Sequence, residues 1–158
     1  MVSGLARRGA LLGCLVWALP ALALDNPDAP DRVAAFEARA QPLALRVNQA
    51  AGGSDAAAAA QAYEAFLEQE LNQAYQGLLG QLGPASRREL VAAQRRWLQW
   101  REAETRFIQG EFTAARFGSS SALSRAGYRA SLVRQRTVAL LHYQQNYPAN
   151  EAADVPPR

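Results

Sequence analysis

The chain has 158 residues, 17 of them basic and 14 acidic, and every basic residue is an arginine. A single cysteine, Cys14, excludes a disulfide framework within the chain, and a net charge of only +3 gives nucleic-acid binding little support.

The N-terminal segment reads as a targeting signal. Arg7 and Arg8 form a basic region, "ALLGCLVWALPALA" follows as an apolar core, and Ala21-Leu22-Ala23 is an A-x-A cleavage signature. The pattern predicts a secretory signal peptide over residues 1–23, because the apolar run falls short of the roughly 20 residues that span a bilayer. "LLGC" also resembles a lipobox that would lipidate Cys14. Cleavage after Ala23 is preferred, since only about four apolar residues separate Arg8 from Cys14, fewer than an apolar core needs. The mature chain would still be long enough for one domain with a real core, and would hold no cysteine. Losing Arg7 and Arg8 would lower its net charge from +3 to +1. It is expected in the periplasm or secreted, without a transmembrane segment or disulfides, and held together by packing alone.

Beyond the signal, residues 24–54 read as a Pro- and Asp-rich leader and a helical segment from about Arg32 to Ala50, interrupted at Pro42. "GGSD" at 52–55 breaks the chain, with Ser54 or Asp55 able to cap the next helix. A long helix is predicted over 55–82, where Tyr63, Phe66, Leu67, Leu71, Ala74, Tyr75, Leu78 and Leu82 recur at three and four. Gly83-Pro84 stops it. Ser86-Arg87-Arg88-Glu89 reads as a capping box opening a second long helix to about Phe117. "GSSS" at 118–121 breaks that helix and caps a third, which runs to about Tyr147 before Pro148. Residues 149–158 read as a disordered tail. No stretch alternates with period two. The predicted fold is all-α, an antiparallel up-down bundle of three long helices plus an N-terminal helical segment, with residues 55–148 as the main domain.

Charge divides along the chain. Residues 25–83 carry eight acids and three arginines, while residues 84–150 carry eleven arginines and four acids. The preferred reading is that acidic and basic helices pack beside one another. The alternative is a bipolar surface for a charged partner.

"AAQRRWLQWREAET", residues 92–105, breaks the usual apolar pattern. On a helical wheel Leu90, Trp97, Leu98 and Ile108 form one apolar stripe, and Gln94 and Arg101 fall between them, inside that stripe. A guanidinium placed there needs a partner, because unpaired buried charge is costly. Glu68, Glu70, Asn72 and Glu104 are the candidates. The preferred reading is a buried polar network that fixes helix register. The alternatives are a ligand cleft between helices and an ordinary solvated position on a tilted helix. Trp100 and Phe107 point to another side of the helix, together with Ala93, Ala103 and Ala114, and are expected to be covered by a second neighbouring helix. Left uncovered, they would form a partner-binding patch.

The sequence offers no catalytic constellation. His142 is the only histidine, which rules out a histidine cluster for metal. Glu102 and Glu104 are two apart and face different directions on a helix. No phosphate-binding Gly loop and no Ser-His-Asp spacing occur, and no cofactor is implied.

"ELNQAY" (70–75), "LVAAQRRWLQWREAE" (90–104), the Gly-Ser turn at 118–121 and "LVRQRTVAL" (132–140) together resemble the N-terminal domain of LprI-type lysozyme inhibitors. The resemblance is carried most specifically by Leu71-Asn72…Tyr75 and by Ala93-Gln94…Trp97…Arg101…Glu104, with Arg136 and Leu140 matching the closing helix. It implies an exported helical protein that is not an enzyme and binds a protein partner, such as a lysozyme. Glu68, Asn72, Gln94, Trp97, Arg101, Glu104 and Arg136 are its candidate network or contact residues. Family cysteines are replaced here by Ala, by Thr105 and by a residue near Tyr128, so the bundle is expected without its disulfides. A second functional reading is an adaptor that binds another envelope protein through a helical face.

Overall fold

The structure, a computed structural model, describes residues 30–147. The predicted signal peptide with Cys14, most of the predicted leader and the residues from Pro148 lie outside the described residues. Helix α1 spans Arg32–Gln49, α2 Gly53–Gln81, α3 Pro84–Glu111, the short α4 Ala114–Phe117 and α5 Ser121–Asn146, with a 3-10 turn at Gly118–Ser120 between α4 and α5. No strand occurs among the described residues. The fold is all-α, a bundle of three long helices and an N-terminal one, and none of the described helices is long and apolar enough to cross a membrane.

Helix α1 begins where the Asp31 side chain accepts the Ala34 N–H at 2.8 Å, an N-cap that satisfies one orphan donor. It runs unbroken through Pro42, which corrects the expected interruption. Both Pro42 and Ala38, whose carbonyl loses its partner, are exposed. Water can therefore satisfy that carbonyl, while Phe36 and Ala40 bury the opposite face.

The helix starts also differ from expectation. Neither Ser54 nor Asp55 caps α2. Gly52 and Gly53, with φ of 100° and 61°, turn the chain directly into the helix, which leaves Asp55 in the first turn to complement the dipole. Pro84 opens α3 behind Gly83, so Ser86 lies inside the first turn and makes no cap bond. At its other end α3 stops at Glu111, several residues before the expected Phe117. Phe112 leaves the helix with its ring 5.1 Å from Phe117 and 4.7 Å from Tyr128, an aromatic corner that turns the chain toward α5. Ser120 does not cap α5; its hydroxyl bonds back to the Phe117 carbonyl at 3.0 Å.

Cross-helix pairs show how the bundle is assembled. Glu64 of α2 meets Arg129 of α5 at 2.8 Å, and farther along Gly77 lies against Gln144. Both partners advance together, so α2 and α5 run parallel. An up-down-up order through α3 produces that direction. A Cβ on Gly77 would fall 2.0 Å from the Gln144 amide nitrogen, so glycine leaves room for the end of the Gln144 side chain between these two helices. Their joint core contains Leu67, Leu71, Ala74, Leu78, Ala130, Val133, Leu140 and Leu141. Helix α1 adds Phe36 and Ala40 from one side, Phe36 stacking on Phe66 at 6.2 Å. Helix α3 leans on α5 from elsewhere and buries only Leu90, Gln94 and Ile108.

The acidic and basic halves do pack beside each other. Glu37–Arg134, Glu64–Arg129 and Glu68–Arg101 all join the acidic first half to the basic second half.

Leu67 and Leu140 are fully buried and Leu98 is half exposed. Leu67→Ala and Leu140→Ala should each cost about 2–5 kcal/mol, and Leu98→Ala under about 0.5 kcal/mol, by urea unfolding followed by circular dichroism.

Candidate functional site

Trp97 and two arginines meet in one place, the seam where α3 lies on α2 and α5. Their arrangement comes from helical spacing. Gln94, Trp97 and Arg101 fall one turn apart on the inner face of α3, and Arg136 rises from α5 to meet them.

Arg101 is bidentate on Glu68 of α2. Its Nη1 donates to Oε2 at 3.2 Å, and its Nη2 donates to Oε1. The Arg101 guanidinium also lies 5.5 Å from the Trp97 ring centre. Arg136 lies 5.8 Å from the same ring and donates its Nε to Gln94 Oε1 at 3.0 Å. Trp97 thus sits against two cations while its body packs on the core.

The two arginines differ in how well they are satisfied. Arg101 has a carboxylate. Arg136 has none among the described residues, and its Nη2 is buried without a hydrogen-bond partner. Burial pushes the Arg136 pKa below its ordinary value, with nearby Tyr143 acting weakly the other way. The neutral amide of Gln94 is its main anchor, which explains why a glutamine is buried on this helix face.

The other predicted residues separate from this cluster. Glu70 does not serve Arg101. It is buried and pairs with Arg39 of α1, at 3.0 Å from Nε and 2.7 Å from Nη2, and this bond raises the Arg39 pKa. The wheel could have placed it, since Glu70 lies two helical turns beyond Tyr63 on the buried face of α2. Asn72 is exposed and makes no bond to Arg101. Glu104 is half-buried and has no ion-pair partner among the described residues. Trp100 and Phe107 are 46% and 59% exposed, so the expected covering helix is not there. The reason is geometric: α3 has α2 and α5 on one side only, and its outer face looks into solvent.

A cleft of about 570 Å³ opens away from this network, between the start of α2 and the start of α5. Ala56, Ala60, Leu123 and Ala126 line it, and the Glu64–Arg129 pair closes its polar end. No group of three or more metal-ligating side chains occurs among the described residues.

The seam joins α3 to α2 through Arg101–Glu68 and to α5 through Gln94–Arg136, and we propose that it seats α3. Gln94→Leu should leave Arg136 without its anchor and cost about 1–3 kcal/mol in thermal or urea unfolding. Adding Arg136→Met to that variant should recover most of the loss, a non-additivity that a double-mutant cycle would measure.

The family model described as "Lysozyme inhibitor LprI" matches residues 47–140, from the end of α1 to within the last two turns of α5. No curated protein and no solved structure matches the chain. The matched span takes in every residue of the seam, from Glu68 to Arg136, and the chain belongs to the LprI lysozyme inhibitor family.

Proposed function

We propose that the protein is an exported, non-enzymatic binding protein that engages a lysozyme and blocks its action on the cell wall. Membership of a lysozyme inhibitor family over residues 47–140 is the observation that carries this reading. The sequence of residues 1–23 supports export, and a family of inhibitors accords with a chain that has no catalytic constellation.

Free charge favours one mode of engagement. Glu64 and Glu68, the acidic residues that could meet a basic enzyme surface, are both tied up in ion pairs. Arg88, Arg95 and Arg96 on the amino half of α3 are exposed and have no acidic partner among the described residues. Lysozymes cut with a pair of carboxylates in a cleft. An unpaired arginine presented on a rigid helix is a suitable counter-charge for those carboxylates, and charged complementarity of this kind sets register and partner choice.

The test is lysis of a cell-wall suspension by c-type, g-type and i-type lysozymes with increasing amounts of protein. Dose-dependent loss of lysis with at least one type is expected. The double variant Arg88→Glu/Arg95→Glu should weaken that inhibition by about tenfold or more, equal to about 1.4 kcal/mol, with an unchanged circular dichroism spectrum. Undiminished lysis by all three types at micromolar folded protein would overturn the reading in favour of an adaptor role.

A further inference from the structure

The outer face of α3 carries a second pattern that the inward network does not explain. Ala93, Arg96, Trp100, Ala103, Phe107 and Gly110 recur at alternating steps of three and four, and all six are exposed. This is the spacing of a coiled-coil seam. It covers roughly 26 Å of helix at 1.5 Å per residue. It carries three large residues, Arg96, Trp100 and Phe107, and three small ones, Ala93, Ala103 and Gly110. A Cβ on Gly110 would meet nothing within 4 Å, so nothing in the chain's own packing requires glycine there.

The stripe is complementary to itself in one orientation. Arg96, in its amino half, is exposed and has no acidic partner among the described residues. Glu104, in its carboxyl half, has no ion-pair partner among the described residues, whereas Glu102 and Glu111 are already paired with Arg106 and Arg116. A parallel pairing would set arginine beside arginine. An antiparallel pairing opposes unlike halves and also opposes the helix dipoles.

We infer that the outer face of α3 is the contact surface of a homodimer, in which α3 packs antiparallel against α3 of a second copy about a twofold axis near residues 101 and 102. In this register Trp100 fills the space over the partner's Ala103, and Phe107 lies against the partner's Arg96. Ala93 comes beside the partner's Gly110. The twofold makes each of these contacts twice. The partner's Arg96 then lies over an aromatic ring and within a turn of the unpaired Glu104. Trp100 meets a small residue at the 100–103 positions, and the Ala93–Gly110 contact lets the two backbones approach closely at either end. A single-helix interface of this kind falls at the small end of specific association, below about 1,200 Å². The dimer is therefore reversible, with a micromolar dissociation constant. This inference does not depend on lysozyme binding, and the lysozyme-facing Arg88 and Arg95 lie on a neighbouring flank of the helix.

Sedimentation equilibrium of the purified protein from about 1 to about 100 µM, a range that brackets a micromolar Kd, tests it. The expected result is a monomer–dimer equilibrium that Phe107→Asp abolishes with no change in the circular dichroism spectrum. Monomer throughout that range would overturn the proposal, as would a dimer that Phe107→Asp leaves intact. Orientation is tested separately in a Cys14→Ser background. Ala93→Cys/Gly110→Cys should oxidise to a covalent dimer and neither single variant should, because only the antiparallel register brings position 93 beside position 110 of the second copy. Equal cross-linking by the single variants would overturn the register.

Discussion

Seating α3 is the constraint on which the rest of this molecule depends. Helices α1, α2 and α5 share a conventional apolar core, but α3 contributes to it only Leu90 and Ile108 among fully apolar side chains. Trp97 and its two guanidinium neighbours supply what is missing. The ring brings apolar area, Arg101 brings a charged hydrogen-bonded link to α2, and Arg136 brings a link to α5 through Gln94. Polar groups of this kind hold direction as well as position, which an aliphatic contact does not. A helix anchored along one narrow seam keeps its opposite face open, and the exposure of Trp100 and Phe107 is a consequence of that arrangement.

Packing of the helices against one another accounts for the electrical asymmetry of the sequence. An acidic first half and a basic second half would each repel themselves if they formed separate surfaces. Packed together, they supply Glu37–Arg134, Glu64–Arg129 and Glu68–Arg101 across three different helix interfaces. None of these pairs is deeply buried, so each contributes modestly to stability. Their larger effect is on pairing. They oppose any arrangement of the same helices that would bring arginines of α3 and α5 together, and this matters in a chain with one cysteine and no disulfide within it.

Much of the architecture was legible from spacing alone. The buried face of α2 and the inward direction of Gln94, Trp97 and Arg101 derive from helical periodicity, and each is where periodicity places it. Helix ends were less legible because local signals competed. Ser86 matches a capping box, yet Pro84 just ahead of it is already pre-set for the first turn. Phe112 has no helix-breaking chemistry, and only its tertiary stack with Phe117 and Tyr128 ends α3 there. Pro42 carries a strong stop signal that solvent exposure of its carbonyl partner overrides. In the candidate site, the choice of Glu68 over Glu70 for Arg101 was open in sequence, because it depends on which acid α1 has already taken through Arg39. That Trp100 and Phe107 are uncovered could not be read either, since a wheel shows which residues share a face and not how many helices lie against it.

From the Arg101–Glu68 pair and the ring contact we propose that Arg101 belongs to the scaffold. The most direct test is the melting temperature of Arg101→Met, which keeps the aliphatic stem and removes the charge. A fall of several degrees is expected, the size that corresponds to losing about 1 kcal/mol in a domain of this length, because Glu68 loses its partner and Trp97 one of its cations. A melting temperature equal to that of the parent protein would contradict the scaffold role and would return Arg101 to the surface as a contact residue.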